Sequence, residues 1–95
     1  MEIINAVFYI KEEQRTAFMA AVQPLLASAR AEAGCRGYHL YESIEEANRF
    51  VMVEKWADQA AIEAHNQTPE LQHLFQKMPE FAAKPTEITV THQGE

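Results

Sequence analysis

Cysteine is nearly absent: Cys35 is the single one in 95 residues. That excludes an intramolecular disulfide framework, and no second thiol exists to complete a zinc-type pair. No local signature marks Cys35 as a nucleophile, so it reads as a buried or loop thiol. Glycine and proline are also scarce, at three and four residues. A collagen-like repeat or a disordered chain is excluded on that ground. There is no glycine-rich phosphate loop and no dinucleotide fingerprint, so no tightly held nucleotide or flavin cofactor is expected. The four histidines (His39, His65, His73 and His92) show no His-x-x-x-His spacing, and no metal site is expected.

Positive charge is short. Eight Lys and Arg stand against fourteen Asp and Glu, a formal net charge of −6, and the eight are scattered. Without a basic cluster, nucleic-acid binding is not expected. An anionic membrane would repel the chain, which has no basic amphipathic helix. No apolar run approaches the ~20 residues that cross a bilayer. The start, Met1-Glu2-Ile3-Ile4-Asn5, lacks the positive region and long apolar stretch of a signal peptide. The expected address is the cytoplasm.

What is there is an ordinary globular composition, 47% apolar over a length that fits one domain, residues 1–95. Residues 2–10 read as a strand, with Ile3, Val7, Tyr9 and Asn5 on one face and Ile4, Ala6, Phe8 and Ile10 on the other. Both faces are apolar enough to be covered. Residues 12–33 read as a helix with an apolar stripe at Phe18, Val22, Leu25, Ala29 and Ala33. Gly34 is its stop, and Pro24 predicts a kink. Residues 36–44 and 48–56 read as a strand pair, joined by the polar stretch Ser43 to Ala47. Asp58 caps a helix that runs to about Asn66. Thr68-Pro69-Glu70 starts another, with Leu71, Leu74, Phe75 and Met78 as its stripe and Pro79 near its end. Residues 86–92 alternate as a last strand.

The order β-α-β-β-α-β with right-handed crossovers gives an α+β fold of ferredoxin-like topology. Its antiparallel sheet runs 4-1-3-2, with the helices on one face. The other face would be bare in a monomer, and burial against a second copy resolves that conflict. A homodimer is therefore expected.

This topology brings scattered residues to one end of the sheet: Asn5, Tyr38 with His39, Glu54 with Trp56, and His92. The second helical segment begins there and carries His65. Such a rim suits an apolar pocket with a few placed polar groups. Each residue has a plainer reading beside the functional one. Trp56 is core packing or pocket wall. His65 is a hydrogen-bonded boundary residue or an acid/base. Asn5, odd in a strand, is an edge accident or an orienting amide. Glu54, on an apolar face with Met52, is an ion-pair member or a general base. Tyr38 is packing or pocket lining. His39 and His73 read as surface residues.

Three stretches then suggest a family: Glu32-Ala33-Gly34-Cys35-Arg36-Gly37-Tyr38, Phe50-Val51-Met52-Val53-Glu54-Lys55-Trp56, and His65 with Thr68-Pro69. Together they resemble the antibiotic biosynthesis monooxygenase superfamily, in its small bacterial quinol-monooxygenase-like branch. Relatives often carry a second histidine after the Thr-Pro, where this chain has Glu70. The resemblance implies a dimeric α+β barrel with a pocket between sheet and helices in each subunit. It also implies oxidation of a small phenolic or quinol-type substrate by O2 without metal or flavin. His65 would then be the acid/base, Asn5 an orienting amide, and Trp56 an aromatic wall, with Tyr38, Glu54 and Met52 contacting substrate. Two other readings stay open. One is a non-catalytic dimeric ligand-binding or stress-related module. The other is a heme-degrading relative, whose subgroup pairs a first-strand Asn with a Trp and a His on one helix; here Asn5 matches, but His65 and Phe75 hold roughly the other two places.

Overall fold

The computed structural model describes residues 1–94. Strand β1 (Glu2–Ile10) leads through a 3-10 turn (Glu12–Gln14) into helix α1 (Arg15–Ala31). Strands β2 (Cys35–Glu42) and β3 (Arg49–Trp56) follow, then helices α2 (Gln59–Asn66) and α3 (Pro69–Phe81), and strand β4 (Ala82–His92). The sheet order is β2-β3-β1-β4 and every pairing is antiparallel. This is the expected ferredoxin-like order, read from the other edge.

Strand alternation decides which side chains meet the helices. On β1, Ile4, Ala6, Phe8 and Ile10 are buried, and on β3 so are Phe50, Met52, Glu54 and Trp56. Helix α1 answers with Phe18, Val22, Leu25 and Ala29 at spacings of three and four. Phe18 packs against Phe8, Phe50 and Phe81 at ring distances of 5.1 to 6.0 Å. Among the described residues, no helix covers the other face of the sheet. Ile3, Val7, Val51 and Val53 lie half-buried there beside exposed Asn5, His39 and Tyr41.

The prolines stop neither helix. α1 runs unbroken through Pro24, and α3 runs through Pro79 to Phe81. Both prolines are exposed, so water can take the carbonyl each ring leaves unbonded. On either side of Pro79, Met78 and Phe81 are buried and hold the last turn on the core. β4 therefore begins at Ala82, four residues earlier than its alternation alone indicated. Pro85 is tolerated because β4 is an edge strand, and the β1–β4 register shifts on either side of the Tyr9–Lys84 pair.

Local chemistry sets where α2 lies. The Asp58 carboxylate accepts the Ala61 N–H at 2.9 Å, as an N-cap should. A Cβ on Gly34 would sit 2.3 Å from the Ala61 Cβ. Only glycine allows the α1–β2 turn to press this closely on α2. Thr68, expected to cap α3, makes no such bond. Its hydroxyl instead donates to the His65 carbonyl at 2.8 Å and ties down the last turn of α2. At the far end of the sheet, Asn48 adopts a left-handed φ of 65°. Its side chain bonds Arg15 and Glu12, which fixes the β2–β3 hairpin to the start of α1.

Candidate functional site

Glu54 lies on the helix-facing side of β3, between its cross-strand neighbours Ile4 and Tyr38. A carboxylate among apolar side chains must find a donor or hold its proton. The Trp56 indole, two residues on and on the same face, donates to Glu54 Oε1 at 3.0 Å. That single bond does not compensate for lost water. Burial pushes the Glu54 carboxyl up to about 7, partly opposed by the Trp56 bond and reinforced by the charge of Glu32.

His65 comes from the last turn of α2 and is 2% exposed. Its ring lies 4.4 Å from Trp56 and 5.3 Å from Tyr38, centroid to centroid. Its two nitrogens meet different surroundings. Nδ1 lies 2.8 Å from Glu32 Oε2, at the C-terminal end of α1. Nε2 is buried without a hydrogen-bond partner, with Glu54 Oε1 3.9 Å away. The two carboxylates thus approach opposite edges of one imidazole and do not converge on a point.

Beside these groups is a cavity of about 180 Å³. Ile4, Ala6, Phe8, Leu25, Ile62, Leu71 and Leu74 form much of its wall, and Tyr38, Glu54, His65 and Asn66 are its polar members. Among the described residues, no lysine or arginine lines it. Burial drives the Tyr38 phenol upward, with the charges of Glu54 and Glu32 adding to the effect. Its hydroxyl therefore stays a neutral donor at physiological pH. The mouth is bordered by Phe75 of α3 and by Ile88 and Val90 of β4, which remain 42 to 54% exposed.

A family profile described as antibiotic biosynthesis monooxygenase matches residues 1–77. The chain belongs to this family. It is 37% identical over 95 residues to YcnE of Bacillus subtilis, named "Putative monooxygenase", with both chains covered in full. Among solved structures it is similar to SO0527 of Shewanella oneidensis, with 36% identity, a TM-score of 0.90, and 97% and 89% of the two chains covered. Rv0793 of Mycobacterium tuberculosis superposes with a TM-score of 0.92 at 26% identity, covering 99% and 95%.

In this member of the antibiotic biosynthesis monooxygenase family, the structure brings together Tyr38, Glu54, Trp56 and His65. Trp56 and Met52, at 0% and 1% exposure, stand behind the cavity wall and do not line it. Trp56 acts on the site through Glu54 and the His65 ring. Asn5 is not brought in. It is exposed on the uncovered face, opposite Val53 and Thr89, because β1 turns Ile4 and Ala6 toward the cavity and alternation sends Asn5 the other way. The orienting-amide role is thereby withdrawn, and so is the one match to the heme-degrading pattern. His39 shares the uncovered face, and His92 pairs with Glu2 at the exposed edge. Cys35 is half-buried and its thiol is pushed up by burial, the reverse of an activated thiolate.

Sequence reasoning missed Glu32. One local signal existed: an acid closes α1, where the helix dipole favours a cation, so Glu32 needs a partner. It also missed Asn66 as a lining residue, and nothing in its surroundings along the chain marks it.

Proposed function

We propose that this chain is a cofactor-independent monooxygenase that oxidises a small phenolic or quinol-type substrate with dioxygen, and that it works as a homodimer. Family membership and the monooxygenase names of its relatives support a monooxygenase-like function. The observation that carries the finer reading is the buried, unpartnered Nε2 of His65, a residue that lines a mostly apolar cavity. A buried imidazole nitrogen with no partner is costly, and a substrate hydroxyl supplies what it lacks.

The chemistry needs little else. Ground-state dioxygen reacts slowly with closed-shell molecules, so the substrate must become a good one-electron donor. His65 Nε2 takes the hydroxyl proton, and the resulting anion passes one electron to dioxygen. The aryloxyl radical and superoxide combine at a ring carbon that bears hydrogen. The peroxide formed takes a proton back from His65. Loss of the ring proton leaves its electron pair to form C=O as the O–O bond breaks, and hydroxide departs as water. One oxygen atom ends in the quinone product and one in water, with all electrons drawn from the substrate. Tyr38 is a neutral donor for the developing anion, and the apolar wall excludes water.

The absence of a cationic wall residue selects against substrates that arrive as anions, since Glu54 and Glu32 would repel them. Oxygen uptake with a hydroquinone or an anthrone-type phenol, in air and with chelator present, tests the reading. Uptake that survives the chelator supports it. Tight binding of the phenol without uptake would instead indicate a non-catalytic ligand-binding module.

The uncovered sheet face supports the dimer. Ile3, Val7, Val51 and Val53 form an apolar centre on it, and such a face is a liability in water. Sedimentation equilibrium at micromolar concentration is expected to give a particle of two 10.8 kDa chains. A single-chain mass throughout that range would rule the dimer out.

A further inference from the structure

We propose that Glu32 is the positioning residue for His65: its carboxylate fixes the ring in the tautomer with hydrogen on Nδ1, leaving the Nε2 lone pair free. This rests on reading His65 as the proton acceptor, yet its geometry is separately testable. A carboxylate only accepts, so the ring nitrogen 2.8 Å from Glu32 Oε2 must carry the hydrogen. In a neutral imidazole the other nitrogen then has none. The ring has little freedom to escape this arrangement. It packs against both Trp56 and Tyr38, and the Thr68 hydroxyl holds its carbonyl.

The charges around the ring agree in direction. Glu32 approaches from the end of α1, Glu54 from β3 and the uncharged Tyr38 ring from β2. Nearby Arg30 is engaged with the Tyr38 carbonyl at 2.8 Å. The residues of α3 that line the cavity, Leu71, Leu74 and Phe75, bring no charge. Once His65 has taken the substrate proton, Glu32 faces an imidazolium and stabilises it. That pairing also answers the mismatch between an acid and the negative end of α1.

Long-range nitrogen–proton correlations of the histidine rings, recorded at pH 8 on uniformly labelled protein, read the tautomer directly. The His65 signals are identified by their loss in His65→Gln. The expected wild-type pattern has hydrogen on Nδ1 and a bare Nε2. Glu32→Gln keeps it, because the amide oxygen still accepts. Glu32→Ala loses it, and hydrogen appears on Nε2. Hydrogen on Nε2 in the wild type, or an unchanged pattern in Glu32→Ala, overturns the assignment. In the rate profile, Glu32→Gln should lower kcat about tenfold or more with KM little changed. A purely structural Glu32 would leave the tautomer unmoved in Glu32→Ala. The expected tautomer in a protein that oxidises no phenol leaves the role of Glu32 standing and sinks the catalytic reading alone.

Discussion

Replacing His65 with alanine is expected to lower phenol-dependent oxygen uptake by a factor of about 10² to 10⁴, the range that a placed acid/base contributes. The size of the effect follows from the lack of a substitute. Glu54 is the other titratable acceptor on the cavity wall, and burial keeps its carboxyl near pH 7 partly protonated. It lies 3.9 Å from Nε2 and already receives the Trp56 indole, so it is poorly placed to take over. Binding should change much less than turnover, because the apolar wall remains intact. Isothermal titration with hydroquinone under nitrogen separates the two, and affinity within a few-fold of wild type is expected. Added free imidazole should restore part of the uptake. Uptake within threefold of wild type would show that His65 does not carry the proton.

Glu54→Gln is expected to raise stability at alkaline pH and to flatten the pH dependence between about 4.5 and 8. A glutamate in an unfolded chain titrates near ~4.3, whereas in the folded protein it is raised to about 7, chiefly by burial. The folded state therefore holds this proton more tightly. Its contribution is greatest below the unfolded value and is lost as pH rises through about 7. At ~1.4 kcal/mol per pH unit, the loss amounts to roughly 4 kcal/mol at most. The variant's amide would keep an oxygen for the Trp56 indole and never ionise. Thermal melts of the two proteins should diverge steadily from pH 5 to pH 8, with the variant the more stable. The depressed Glu42 carboxyl, held down by its bond to Arg15, acts below this window. Parallel curves would show that Glu54 is solvated and that the site is wetter than described.

The element order was legible because alternation and helical stripes are local signals. Phe18, Val22, Leu25 and Ala29 announce α1, and Asp58 announces α2. The meeting of Glu54, Trp56 and His65 was also legible, because antiparallel order places the end of β3 beside α2. Asn5 shows the limit: it falls at the expected end of the sheet, but a one-residue step in a strand exchanges the two faces. Glu32 shows another. Its partner is 33 residues away, and only the close approach of the Gly34 turn to Ala61 brings α2 near the end of α1. The early start of β4 lay outside the alternation of residues 86–92, and Pro85 is tolerated in it because the strand is at the sheet edge.

A structure of the protein with hydroquinone bound under anaerobic conditions tests the central claim most directly. One phenolic oxygen is expected at hydrogen-bond distance from His65 Nε2, about 2.7 to 3.0 Å, with the ring against Ile4, Leu71 and Leu74. A hydroquinone seated elsewhere, or a cavity filled by its own side chains with Nε2 still unpartnered, would contradict it.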